Sequence, residues 1–319
     1  MKNIALLTSG GDAPGMNAAI RAVVRSAIYR GMKVYGIKKG YHGLIEGDIY
    51  EMDLSSVADI IHRGGTILGT ARSEEFMTPE GRKKAVEKLK IYDIEALVVL
   101  GGDGTFNGAY ELSKLGINVA CIPCTIDNDM GYTDYTIGFM TATETAVDAI
   151  GKLRDTSSSH GRANVLELMG RNCGDITLYA GLAGGAETII VPERKLDMDK
   201  LLRKVINGKN RGKKHHIIVV AEGSHDSYKI AKQIEENAGL ETRVTILGHV
   251  QRGGTPTVFD RIMASRMGAL AVEELQNGKN SIALSLTCNK IIAIPLEDAL
   301  LTTKVFQSEL IETADILSI

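Results

Sequence analysis

The chain has 319 residues, 44% hydrophobic and 24% charged, with a formal net charge of −2. That length fits one large or two modest α/β domains with ample core. The charge balance excludes a general attraction to nucleic acid, and no run approaches the ~20 apolar residues of a membrane span. The four cysteines, Cys121, Cys124, Cys173 and Cys288, lack the paired ligand spacing of a zinc module. Reduced thiols and a cytoplasmic location are therefore expected. The apolar run at the start of the chain is too short for a signal peptide.

Short apolar runs alternate with helical patterns along the chain. A buried strand is predicted at 3–8, then a helix at 15–29 with Ile20, Val23, Val24, Ala27 and Ile28 on one stripe. Strands follow at 34–37, 95–100 and 119–123. Residues 139–153 carry Ala142, Ala146, Val147 and Ile150 at helical spacing. Ser157-Ser158-Ser159-His160-Gly161 reads as linker, a hinge or domain crossing. Strands at 164–169, 188–191, 216–221 and 243–247 are separated or followed by helices at 198–206, 228–237 and 258–275. Such alternation predicts mainly parallel sheets covered by helices.

Chemistry concentrates in the loops after strands. Thr125-Ile126-Asp127-Asn128-Asp129 puts two carboxylates two residues apart, behind a hydroxyl. In an extended backbone Thr125, Asp127 and Asp129 face one side. One acid then suits proton acceptance and the other a divalent cation. The same stretch also fits a surface turn rich in Asp and Asn. Two glycine loops, at 8–15 and 101–105, each run from a strand into a helix. Open backbone N–H groups and a helix N-terminus favour a phosphate there. Asp103 within the second loop calls for Mg²⁺ between carboxylate and phosphate. Arg171 and the pair His249 and Arg252 follow strands and supply positive charge for a phosphate.

Together these motifs resemble the bacterial ATP-dependent 6-phosphofructokinase family, nearly end to end. The resemblance rests on Gly10-Gly11-Asp12-Ala13-Pro14-Gly15-Met16-Asn17, Arg63-Gly64-Gly65-Thr66, 101–105, 125–129, Met169-Gly170-Arg171 and 248–256. It implies two three-layer α/β domains: 1–138 with 256–300 for ATP, and 139–255 with 301–319 for fructose 6-phosphate. It implies ATP contacts from Gly11, Tyr41, Arg72, Ser73, Gly102, Gly104, Thr105 and Gly108. Mg²⁺ falls to Asp103 and Asp129. Asp127 becomes the base, with Thr125 and Arg171 beside it. Met169, Gly170, Glu222, His249 and Arg252 bind the sugar phosphate, joined by Arg162 and Arg243 from a neighbouring subunit of a homotetramer. An effector site for ADP and phosphoenolpyruvate draws on Arg21, Arg25, Arg154, Gly185, Glu187, Arg211 and Lys213.

Two positions depart from the family pattern. Cys124 stands where ATP-using relatives carry glycine, and Tyr132 stands where glycine is common. Pyrophosphate-using relatives place lysine at position 124 and aspartate at 104; this chain has neither, which favours ATP. The rival readings are a pyrophosphate-dependent enzyme and a non-catalytic nucleotide and sugar-phosphate sensor. Retention of Asp103, Asp127, Asp129 and Arg171 argues against the sensor.

Overall fold

The computed structural model describes residues 1–318; Ile319, the end of the expected 301–319 segment, lies outside them. The chain divides into two compact units. The first comprises 1–126, 130–141 and 252–304, and the second 127–129, 142–251 and 305–319. These junctions fall a few residues from the expected domain limits, and 127–129 belong to the second unit.

The first unit contains β1 (Asn3–Thr8), α1 (Met16–Tyr29), β2 (Lys33–Ile37), α2 (Gly40–Glu46) and β3 (Ile49–Met52). It continues with α3 (Pro79–Ile91), β4 (Ala96–Gly101), α4 (Asp103–Lys114), β5 (Asn118–Thr125) and β6 (Ile137–Gly138). Within α5 (Phe139–His160) the chain passes to the second unit. There follow β7 (Arg162–Leu168), α6 (Asp175–Ala183), β8 (Thr188–Ile190), α7 (Met198–Asn210), β9 (His215–Ala221), α8 (Ser227–Ala238) and β10 (Thr242–Ile246). The first unit resumes with α9 (Val258–Gln276), β11 (Ile282–Thr287), β12 (Lys290–Pro295) and α10 (Leu296–Leu301). The second ends the chain with α11 (Ser308–Leu317).

The first sheet runs β12-β11-β5-β4-β1-β2-β3, with β6 paired to β5. Its pairings are parallel except β2 with β3 and β11 with β12. Strands buried on both faces read as continuous apolar runs. Ile4 and Leu6 on one face of β1, and Ala5 and Leu7 on the other, are 0% exposed. Ala5, Leu7, Leu97, Val99 and Val119 share a core with Leu44, Leu89 and Phe106 of α2, α3 and α4. The second sheet, β10-β7-β9-β8, is wholly parallel. Its Val165, Ile218 and Val220 pack on Leu201 and Val205 of α7 and on Ile230 and Ile234 of α8. The architecture is the expected α/β class, mainly parallel sheets flanked by helices.

Two local expectations fail. The serine run at 157–159 is no linker but the last turns of α5. Ser157, Ser158 and Ser159 donate to the carbonyls of Leu153, Arg154 and Asp155 at 2.6, 2.8 and 3.1 Å. Inside a helix a serine hydroxyl can turn back to the carbonyl four residues earlier, at a small cost to the helix, so a serine run need not be a linker. The extended backbone expected through 125–129 is also absent. β5 ends at Thr125, and Asn128 takes φ 52°. Asparagine tolerates that left-handed conformation because its short amide bonds locally. Here the amide donates to Asp175 Oδ2 at 2.8 Å.

Candidate active site

In the first unit, β1 and β4 are adjacent and parallel, so their two glycine loops emerge side by side at the carboxyl end of the sheet. Ligands of open α/β sheets bind at such ends. The loops touch. A Cβ on Gly101 meets the carbonyl of Ser9 at 2.5 Å, so no side chain fits there. Ser9 N–H donates to Leu100 O at 3.0 Å. Gly102 precedes α4, whose first residue is Asp103, which leaves the helix N-terminus and its N–H groups at the loop.

Tyr41 supports this loop from inside. Its ring is 5% exposed and stacks on Phe76 with centroids 3.9 Å apart. Its hydroxyl donates to Thr105 O at 2.6 Å. Burial, then the nearby Cys121, holds that phenol well above its usual pKa, so it stays a donor. Gly108 lies on the same ring, where a Cβ comes within 2.7 Å. Ser73 accepts from Phe76 N at 3.3 Å, and Arg72 is exposed beside it. Gly104 has nothing within 4 Å of an ideal Cβ. Packing does not demand glycine there; its absence of side chain keeps space open.

Asp103 is exposed, its carboxylate 3.3 Å from the Asn107 amide. One exposed carboxylate on a glycine loop at a helix N-terminus fits Mg²⁺, which takes one or two protein carboxylates and fills its shell with other oxygens and water. Among the described residues no group of three or more His, Cys, Asp or Glu could hold a metal alone. Arg252 lies on the first loop: its Nη1 donates to Asp12 O at 3.3 Å, and a Cβ on Gly11 meets that nitrogen at 2.3 Å.

Sequence reasoning missed Asp260 on α9. It is 0% exposed and accepts from Gly138 N and Thr141 N, both at 2.9 Å, and from the Thr141 and Thr257 hydroxyls. Gly138 pairs with Thr125 across β5 and β6, so Asp260 anchors the strand behind Thr125. The Thr136 hydroxyl also donates to Thr125 O, at 2.7 Å. Cys124 is 1% exposed. Burial first, then Asp260, raises its thiol above the usual range, so it is inert rather than a pocket nucleophile. Cys121 and Cys124 are both free. Tyr132 packs against the first core, 6.1 Å from the Phe106 ring.

In the second unit, Asp127 is 2% exposed, and its Oδ2 lies 3.3 Å from Arg171 Nε. Arg171 takes φ 54° in the turn after β7, and its side chain remains 64% exposed. Glu222 secures that turn: Oε1 accepts from Gly170 N at 3.2 Å and Arg171 N at 2.8 Å. Gln251, 0% exposed, accepts from Met169 N at 2.8 Å. Asp129 is part-buried and His249 exposed. Arg162 and Arg243 both pair with Glu241, at 2.7 and 2.5 Å. Sequence reading did not single out Glu241, although it stands two residues before Arg243, just ahead of β10.

Of the expected effector residues, Arg21 and Arg25 lie on the outer face of α1. Within the second unit, Gly185, Glu187 and Lys213 line one cleft with Ala314, Leu317 and Ser318. Lys213 pairs with Glu187 at 2.8 Å, and Ile217 N donates to the other Glu187 oxygen at 2.6 Å. Arg154 donates to Gly185 O at 2.8 Å. Arg211 is exposed at the end of α7. No described helix is long and apolar enough to cross a membrane.

The family model for phosphofructokinase matches residues 3–275. The chain is 60% identical to the ATP-dependent 6-phosphofructokinase of Finegoldia magna and 61% identical to that of Clostridioides difficile, over 100% of each chain. Among solved structures, phosphofructokinase from Saccharomyces cerevisiae superposes with a TM-score of 0.90 at 38% identity. That alignment covers 100% of this chain and 48% of the yeast chain, so this chain spans about half the yeast length. A pyrophosphate-dependent phosphofructokinase from Marinobacter aquaeolei shares the fold, with a TM-score of 0.87 and 23% identity over 97% of this chain and 86% of its own. Fold, glycine loops and full-length identity agree: the chain belongs to the phosphofructokinase family.

Proposed function

We propose that this chain is an ATP-dependent 6-phosphofructokinase. It transfers the γ-phosphoryl group of ATP to the 1-hydroxyl of fructose 6-phosphate, giving fructose 1,6-bisphosphate and ADP in the cytoplasm. The observation that carries the reading is the buried Asp127 carboxylate with Arg171 at 3.3 Å. Phosphoryl transfer asks the protein for in-line placement and charge relief rather than covalent chemistry. Asp127 takes the proton of the 1-hydroxyl. Arg171 has most of its side chain free to meet developing charge, and its planar fork suits two phosphoryl oxygens.

The glycine loops with Gly11, Gly102, Gly104, Thr105 and Gly108 hold the nucleotide, helped by Arg72 and Ser73, with Tyr41 bracing them from below. Asp103 and Asp129 are the residues to hold Mg²⁺, which supplies electrostatic relief at the phosphates. Thr125, Met169, Gly170, Glu222, His249 and Arg252 position the sugar phosphate, and Arg162 and Arg243 serve the site of a neighbouring subunit in a homotetramer.

Comparison of donors tests the reading. Gly104 leaves open space and position 124 carries no lysine. We expect kcat/KM at least tenfold higher with ATP than with pyrophosphate, about 1.4 kcal/mol of transition-state preference. Comparable values would reassign the chain to the pyrophosphate class, and no turnover with either would leave the sensor.

An effector site is part of the proposal. Arg21, Arg25, Arg154, Gly185, Glu187, Arg211 and Lys213 bind ADP or phosphoenolpyruvate. Arg21 and Arg25 are four apart on α1 and face away from its apolar stripe. Effectors shift an equilibrium only by their differential affinity for its two states. Arg21→Ala with Arg25→Ala should therefore keep kcat within about threefold, under ~1 kcal/mol. Saturation curves for fructose 6-phosphate should lose their response to both effectors. Unchanged responses would return these arginines to a solvated face.

A further inference from the structure

A second basic cleft lies within the second unit and contains none of the residues assigned above. It is lined by Ile189 and Ile190 of β8, by Arg194, Leu196, Lys200 and Lys204, and by Asp315 of α11. Three cations converge on Asp315: Arg194 at 3.4 Å, Lys200 at 3.0 Å and Lys204 at 3.9 Å. Lys195 adds positive charge at the rim. The other acid in the lining, Asp197, is engaged as the N-cap of α7, accepting from Lys200 N at 2.9 Å. Thr188 also lines the cleft, and its buried hydroxyl has no hydrogen-bond partner among the described residues.

Holding α11 in place does not explain so much positive charge. Ion pairs as exposed as these add little to stability. The helix is already seated by Ile311, which packs with Leu178 and Val191. Burial pushes Asp315 up, and Lys200, Lys204 and Arg194 more than reverse that, leaving its carboxyl below the usual range. Burial also lowers Lys204, which Asp315 partly restores. The cations are thus gathered round an anion with fewer oxygens than they have donors.

We propose that this cleft binds the phosphate group of a small metabolite, held by Arg194, Lys200 and Lys204, with Asp315 as the internal anion it displaces. A phosphate offers three acceptor oxygens to one guanidinium fork and two ammonium groups. Ile189 and Leu196 provide apolar surface for the carbon atoms beyond it.

Lysine footprinting tests this on the intact, substrate-free enzyme. Trace acetic anhydride is the reagent, read peptide by peptide, with glycerol 3-phosphate and inorganic phosphate as probes. Glycerol 3-phosphate should slow acetylation of Lys200 and Lys204 at least threefold. Inorganic phosphate should need a higher concentration; protection by it at an equal or lower one would assign the site to free phosphate. Asp315→Asn should bring protection at a concentration at least threefold lower, because the competing carboxylate is gone. Lys213→Ala should keep the protection, since that lysine lines the other cleft. Unchanged rates at Lys200 and Lys204 with both probes would overturn the proposal. So would protection that disappears in Lys213→Ala, or an Asp315→Asn variant needing as much ligand as the parent.

Discussion

Replacing Asp127 by serine should lower kcat by roughly 10²–10⁴-fold, the usual worth of a positioned proton acceptor. That corresponds to about 2.7–5.5 kcal/mol of transition-state stabilisation. The loss belongs to chemistry rather than stability. Its ion-pair partner Arg171 is 64% exposed and is solvated when the carboxylate goes. Glu222 and Gln251 still secure the turn through Gly170 N, Arg171 N and Met169 N. KM for fructose 6-phosphate should therefore stay within a few-fold, because His249 and Arg252 are untouched. Steady-state kinetics with a coupled assay reads both constants. A variant with near-parental kcat would remove Asp127 from the role of base.

Asp260→Ala should show the largest stability effect of any single substitution near the site. The carboxylate receives two buried backbone N–H groups, and alanine leaves Gly138 N and Thr141 N without it. Each buried donor left unmade costs about 1–3 kcal/mol, and loss of a charged acceptor sits at the upper end. A total of about 3–5 kcal/mol follows, read as a drop in Tm of roughly 6–15 °C. Unfolding curves within experimental error of the parent would show that these N–H groups find other partners. The pH dependence has a defined sign. Burial raises the Asp260 carboxyl above its usual range, and its four donors only partly offset this. A folded-state pKa above the unfolded value means stability fully present below the unfolded pKa, lost as pH rises through the folded one. This group therefore weakens the fold as the pH climbs from about 4, the ordinary aspartate value, through the raised pKa. That slope should vanish in Asp260→Ala.

The interior strands were legible because both of their faces are buried. β1, β4 and β9 are dominated by Val, Ile, Leu and Ala, whereas β5 adds Cys and Pro and β7 carries Arg162, Asn164 and Glu167. The glycine loops were legible through their chemistry, and the sheet order puts both at adjacent strand ends. Hidden features have physical causes. α3 has a weak apolar stripe, burying little beyond Ala85, Val86 and Leu89. Its signal lies at its start, where Thr78 caps Gly81 N and Pro79 takes the first turn. The serines at 157–159 suggest a linker by composition, but their hydroxyls close onto the preceding turn of α5. Strand alternation through 125–129 fails at Asn128, a residue type known to enter the left-handed region. Asp260 and Glu241 were invisible because their partners lie far away in sequence or act only once the strands pair. Asp260 binds groups about 120 residues earlier, a separation of 122 to Gly138 and 119 to Thr141.

The interleaving of the two units bears on how the chain is made. All four strands of the second sheet lie between residues 162 and 246. They are complete as soon as that stretch has left the ribosome. The first sheet is different: β5 ends at Thr125, but its neighbour β11 begins only at Ile282. During synthesis the flank of β5 thus waits for more than a hundred residues with unpaired N–H and C=O groups. Such an open strand edge invites pairing with another chain. Pairings so distant in sequence also form slowly. A ribosome stalled before β11 would present a finished second sheet while the first was still incomplete. In that state the unpaired flank of β5 is most exposed to pairing with another chain.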